Sequence, residues 1–145
     1  RVAGYEAPRM LTLEEARGEV AARIRRERAV ELARAASDEF LQKLEAGEIV
    51  LIDVRTPNEY AFEHVPGAML FPMSSFEPTS LPDQGRKRIV FHCGSGVRSK
   101  KIAERCQSAG IDRLAHMEGG FGAWKQAGFP YLAIDPATGA LTKKP

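Results

Sequence analysis

Cysteine, metal-ligand patterning and long apolar runs are all nearly missing from this chain. It has two cysteines, Cys93 and Cys106, in 145 residues, too few for a disulfide framework. Its three histidines, His64, His92 and His116, are scattered. With only two thiols they offer no metal-ligand spacing, so neither a metal nor another cofactor is expected. No apolar run approaches the roughly 20 residues needed to cross a bilayer, which argues against a membrane partner. The surplus of base over acid is small, a net charge of +2, and gives no reason to expect nucleic acid. Repeats and low-complexity tracts are absent. The first residue is Arg1 rather than methionine, read here as a fragment, a processed form or a trimmed form whose upstream signal or domain would not be visible. The expected location is cytoplasmic.

What remains is an ordinary apolar fraction of 43% and enough length for one sizeable core. Residues 1–11 read as irregular. Thr12 and Glu15 form a capping-box pattern, and a helix rich in Ala, Glu and Arg follows to Ala36, with Leu13, Ala16, Val20 and Ile24 at helical spacing. Ser37 is expected to cap a second helix, Asp38 to Ala46, closed by Gly47. Ile49 to Asp53, Met69 to Phe71, Ile89 to His92 and Arg113 to Met117 read as strands. Thr56-Pro57-Asn58-Glu59 opens a short helix with proline in its first turn. Residues 74–87 read as loop. A further helix follows the Cys93 region as far as Gly110, and another covers Phe121 to Ala127. The tail after Pro130 has a weak claim to fixed structure. Strands alternating with helices imply an α/β domain with a mainly parallel sheet.

The most informative segment is His92-Cys93-Gly94-Ser95-Gly96-Val97-Arg98-Ser99. A cysteine ends an apolar strand, small residues follow, and a helix begins. Glycines let successive N–H groups curl inward as an anion-binding nest, and the positive end of the helix faces the same point. Arg98 adds a permanent cation. This combination lowers a thiol pKa and marks Cys93 as a nucleophile. Four residues separate Cys93 from Arg98, one fewer than in the Cys-x5-Arg cradle of cysteine phosphatases, which leaves room for one added sulfur rather than a phosphoryl group.

These residues resemble the rhodanese, or sulfurtransferase, family, and the resemblance extends from about Ser37 to Pro130. Asp53-Val54-Arg55-Thr56-Pro57-Asn58-Glu59-Tyr60 and His64-Val65-Pro66-Gly67-Ala68 look like its first signature. Cys93 to Ser99 matches its reactive loop, and Glu118-Gly119-Gly120-Phe121-Gly122-Ala123-Trp124 with Gly128-Phe129-Pro130 matches its last. Glu63 departs from the glycine usual in the family, at a position expected on a turn. The resemblance implies a single-domain, three-layer rhodanese-like α/β fold, with a central sheet between helices and an added N-terminal helix. It divides the chain into an extension (1–36), a catalytic domain (37–130) and a tail (131–145).

The implied activity moves a sulfane sulfur from thiosulfate or a related donor, through a Cys93 persulfide, to cyanide or a thiol. Gly94, Ser95, Gly96, Val97, Arg98 and Ser99 would bind substrate. Arg98, with Lys100 or Lys101, would attract a sulfonate, and Asp53 and Arg55 would support the site. The alternatives are a non-catalytic rhodanese-like binding module, or a phosphatase or arsenate reductase of the same fold. An Arg55–Glu59 ion pair is expected, Cys106, His64 and Trp124 read as packing residues, and the charged N-terminal helix is expected to form a homodimer.

Overall fold

The computed structural model describes residue 10, residues 12–81, residue 85 and residues 87–144. The irregular segment expected over 1–11 therefore lies outside the described residues except for Met10, as does part of the expected 74–87 loop. The described chain divides into two compact units, Arg1–Ala35 and Ala36–Pro145.

The helix at the start is longer than expected. One helix, α1, runs Leu13–Glu45, so Ser37 lies inside a helix instead of capping a second one. Between Gly18 and Gly47 there is neither glycine nor proline, and a helix once nucleated gains a bond with each added residue. Its start is the expected box: the Thr12 N–H donates to Glu15 Oε2 (2.8 Å) and the Glu15 N–H to Thr12 Oγ1 (3.3 Å). Its end is the expected glycine. Gly47 has φ of +71°, and the Gly47 and Glu48 amides donate to the carbonyls of Leu44 and Lys43, a left-handed cap that satisfies the last turn. In the first unit Leu13, Val20, Ile24 and Leu32 are exposed.

In the second unit, β1 (Ile49–Asp53), β3 (Met69–Leu70), β4 (Arg88–His92) and β5 (Leu114–His116) form a four-stranded sheet in the order β3-β1-β4-β5. Every pair is parallel, with Leu51 opposite Val90 and Asp53 opposite His92. Parallel strands are covered on both faces, which is why their sequences read as continuous apolar runs rather than alternating ones. Leu51 and Val90 join Phe121, Trp124 and Phe129 on one face, with Phe40, Leu41 and Leu44 of α1 packed against them. Ile52 and Phe91 join Val54, Phe76, Ile102 and Cys106 on the other, beside helix α3 (Val97–Ser108). The result is the rhodanese-like α/β layering, helices on both sides of a parallel sheet.

The segment after Pro130 is ordered. Tyr131–Ile134 (β6) and Leu141–Lys144 (β7) form a second, antiparallel sheet with Glu63–His64 (β2) in the order β2-β6-β7. This also corrects the turn expected at Glu63, which pairs with Ala133. The alternation in these short strands is too brief to stand out, and β2, the partner of β6, lies some seventy residues earlier. Tyr131 packs edge-on against Phe121, with ring centres 5.7 Å apart, and the Trp124 Nε1–H donates to the Pro130 carbonyl (2.9 Å). Trp124 is a core residue, as expected.

A chain truncated after Pro130 loses β2's partner and the Tyr131 contact. It is expected to unfold in urea with a stability more than about 2 kcal/mol below the full chain; equal midpoints would mean that the second sheet is decoration.

Candidate active site

Cys93 sits one residue beyond the end of β4, at the carboxyl edge of the parallel sheet, where the sites of open α/β folds are built. Its side chain is fully buried. The loop from Gly94 to Gly96 wraps the sulfur, and the Gly96 N–H donates to Cys93 Sγ at 3.2 Å. Gly96 itself has φ of +90°, a conformation that a side chain would strain, and it starts α3. The Ser99 hydroxyl donates to the Gly96 carbonyl (3.0 Å) and lies within reach of the sulfur. Burial is the largest single influence on the Cys93 thiol and pushes its pKa up. The Ser99 N–H and hydroxyl, with the Ser95 and Gly96 N–H groups, act the other way and leave it below the usual thiol value. The loop expected to bind an anion thus converges on the sulfur.

What holds that loop open inward is the segment Gly119–Gly122 at the start of helix α4 (Gly120–Gln126). The Phe121 N–H donates to the Cys93 carbonyl (2.7 Å) and the Gly122 N–H to the Gly94 carbonyl (2.9 Å). Because the peptide is trans and planar, a carbonyl held outward turns the next N–H inward. A Cβ on Gly120 would lie 2.3 Å from the Cys93 carbonyl oxygen and 2.7 Å from the Gly96 nitrogen. Only glycine fits there. The sequence carried the signal in its repeated glycines, which mark close backbone approach, but did not say what they approach.

Beneath the loop lies a buried ion pair. Arg55 Nη2 is 2.7 Å from Asp53 Oδ2, and both residues are inaccessible to solvent or nearly so. Arg55 Nε also donates to Asp53 (2.9 Å), Nη2 donates to the Glu63 carbonyl (2.6 Å), and the guanidinium lies 4.5 Å from the centre of the Phe121 ring. The Arg55–Glu59 pair expected from the sequence is not formed, because Asp53 takes the arginine. Glu59 instead receives both arms of Arg98, at 2.9 and 2.7 Å, while its Oε2 also accepts from the Thr56 N–H (2.9 Å) and hydroxyl (2.8 Å) in the capping box of α2 (Pro57–Phe62). Arg98 holds the Glu59 carboxyl far below the usual range, at about 2. This pairing spans 39 positions, and no local pattern announces it.

His92 fills the space behind Asp53. Neither ring nitrogen has a hydrogen-bond partner among the described residues, and Asp53 Oδ2, at 3.6 Å, is beyond hydrogen-bond range. Burial, only partly offset by Asp53 and the Cys93 backbone, pushes its pKa down to about 4. It is a neutral wedge. His64 stacks on Tyr60 with ring centres 4.1 Å apart and bonds the Tyr60 carbonyl through Nδ1 (2.8 Å), the packing role read for it. Cys106 is buried on α3 and burial pushes its thiol pKa up. Lys100 and Lys101, expected beside the site, are exposed on α3, and Lys100 lines a separate depression with Glu104 and His116.

Beside Gly94 opens a cleft of about 300 Å³ lined by Arg55, Glu59, Phe62, Glu63, Phe121, Gly122 and Lys125. Lys125 is paired with Glu63 at 2.6 Å, a contact the sequence did not suggest. No group of residues that could hold a metal ion occurs among the described residues.

Gly120→Ala combines a left-handed backbone penalty of about 1 kcal/mol with a clash against rigid backbone. It is expected to destabilise the fold by more than about 3 kcal/mol and to raise the Cys93 pKa in a thiolate-absorbance titration. His92 supplies a second test. Its folded pKa of about 4 lies below the unfolded value of about 6.5, so the unfolded chain binds the extra proton. Stability is then full above pH 6.5 and falls by about 3 kcal/mol as the pH drops to 4. The stabilisation held by Glu59 is present above about pH 4.5 and is lost as the pH falls from there toward 2, so most of its loss lies below the pH 7 to 4.5 comparison. Urea unfolding at pH 7 and pH 4.5 reads the fall, and His92→Asn should flatten it.

Comparison with known proteins agrees with this architecture. The profile of the rhodanese-like domain matches residues 36–127. An uncharacterized protein of Synechocystis is 42% identical over 82 residues, which cover 57% of this chain and 46% of that protein; the chain thus spans about half of that relative. A sulfurtransferase of Allochromatium vinosum is 31% identical over 99 residues, 67% of this chain and 92% of its own length. Among solved structures, the rhodanese-like domain of an Anabaena protein superposes with a TM-score of 0.55 at 27% identity, covering 63% of this chain and 72% of that one. A Rhodopseudomonas palustris protein described as a possible tyrosine phosphatase gives 0.54 at 33% identity, covering 66% and 79%. With a matching family profile over most of its length and the parallel sheet, reactive loop and glycine clamp in place, the chain belongs to the rhodanese-like domain family.

Proposed function

We propose that the chain is a sulfurtransferase that carries sulfane sulfur as a persulfide on Cys93. The observation behind this reading is the sulfur itself: a buried thiol, lowered in pKa, at the focus of the Ser95, Gly96 and Ser99 amides. The Cys93 thiolate attacks the outer sulfur of a donor, thiosulfate or a persulfide. An S–S bond to Cys93 forms, the donor's own S–S bond breaks, and sulfite or a thiolate leaves with the electron pair. A thiophile, cyanide or a thiol, then removes the outer sulfur and restores the thiolate. The inward amides stabilise the persulfide anion as an oxyanion hole stabilises developing charge. No proton need be abstracted once Cys93 is ionised, in keeping with a neutral, buried His92.

The phosphatase reading has the loop length against it. Four residues between Cys93 and Arg98, with Arg98 clasped by Glu59, make a small cradle for a tetrahedral phosphoryl group.

Cys93→Ser should lower sulfur transfer to cyanide by at least about a thousandfold while leaving the thermal unfolding curve in place; Cys106→Ala should retain most activity. Aryl phosphate hydrolysis exceeding sulfur transfer in the unmodified chain, or a Cys93→Ser variant near full activity, would overturn the reading.

A further inference from the structure

Among the described residues, Arg55, Arg98 and Lys125 around the mouth of the site are each already matched. Arg55 is held by Asp53 at 2.7 Å, Arg98 by Glu59 at 2.7 Å and Lys125 by Glu63 at 2.6 Å. Arg98 lies against Gly94, where a Cβ would come 3.5 Å from its Nη2. The cleft beside Gly94 therefore presents Arg55 and Lys125 together with Glu59 and Glu63, and its remaining wall is aromatic, from Phe121 and the exposed Phe62. The loop amides are already directed at the Cys93 sulfur rather than into this cleft. With its full charges paired in this way, the cleft offers a dianion little net attraction. Thiosulfate would have to pull Arg98 away from two hydrogen bonds to Glu59.

We propose that the site favours a donor of low charge, an alkyl persulfide, and that Glu59 selects against thiosulfate by occupying Arg98. This rests on the sulfurtransferase reading above. The reaction is R–S–SH plus the Cys93 thiolate giving Cys93–S–SH plus R–S⁻. One S–S bond replaces another, with no external oxidant or reductant, and the alkyl group R meets the Phe62 side of the cleft. A persulfide brings at most one negative charge to the reacting end, against two on thiosulfate. Glu59 is a positioning residue: it acts through Arg98.

The test uses the full chain with cyanide as acceptor and two donors, thiosulfate and freshly prepared N-acetylcysteamine persulfide. Intact mass spectrometry reads the gain of one sulfur on Cys93. In the unmodified chain, kcat/KM for the persulfide should exceed that for thiosulfate by at least about tenfold, with little dependence on salt. Glu59→Gln keeps a side chain able to serve the capping box but releases Arg98. It should raise the thiosulfate-to-persulfide ratio of kcat/KM about tenfold, through the thiosulfate KM rather than kcat, and make the thiosulfate rate fall with salt. Glu63→Gln, which releases Lys125 outside the capping box, should move the ratio the same way and covers the case of a misfolded Glu59 variant. A persulfidated cysteine peptide tried beside the small persulfide tells a protein-borne donor from a free one. Either ranking above thiosulfate supports the proposal. Thiosulfate equal to both in the unmodified chain, or a ratio that neither variant moves, overturns it while leaving the sulfurtransferase reading intact. Absence of sulfur on Cys93 from every donor overturns both.

Discussion

The site depends on two backbone hydrogen bonds. The amides of Phe121 and Gly122 hold the carbonyls of Cys93 and Gly94, and peptide planarity turns the N–H that follows Gly94, that of Ser95, toward the sulfur. That places an anion receptor at the end of β4 without spending a charged side chain on it. The constraint runs backward as well: two chain segments can approach so closely only where no Cβ intervenes, hence Gly120 and Gly122 on one side and Gly96 on the other. The N-terminal turn of α3 then continues the same array of donors into a helix.

Charge is managed in the opposite manner, by local cancellation. The Asp53–Arg55 pair is buried beneath the loop and ties the end of β1 to β2 through the Glu63 carbonyl and to α4 through the Phe121 ring. A buried pair of this kind is weak evidence for stability, yet removing one partner would leave an uncompensated charge. Arg98 and Lys125 are likewise matched with Glu59 and Glu63. The thiolate of Cys93 is thus served by neutral dipoles while the full charges neutralise one another nearby.

Much of this was written locally. Ile49–Asp53 and Ile89–His92 show continuous apolar runs because parallel strands are buried on both faces. Thr12 and Thr56 each carry a glutamate three residues on, and both capping boxes formed. Cys93 followed by small residues and a helix start marked a loop that does wrap the thiol, and the glycines of Gly119–Gly122 marked a close approach. The misreadings have a common cause. Ser37 has the chemistry of a cap, but with no glycine or proline near it the helix ran through. After Pro130, β6 pairs with the distant β2 as well as with β7, and its own composition does not reveal that partner.

The sequence by itself determined the cysteine loop that follows β4, the parallel α/β order and the family, since each follows from short local motifs. Only the tertiary structure decided which charges meet. Asp53 and Glu59 stand within six positions of each other and compete for Arg55; burial at the end of β1 gives it to Asp53, and Glu59 is left facing Arg98 from 39 positions away. Local spacing cannot encode that outcome, because it depends on which side chains the fold removes from water and which it leaves at the rim.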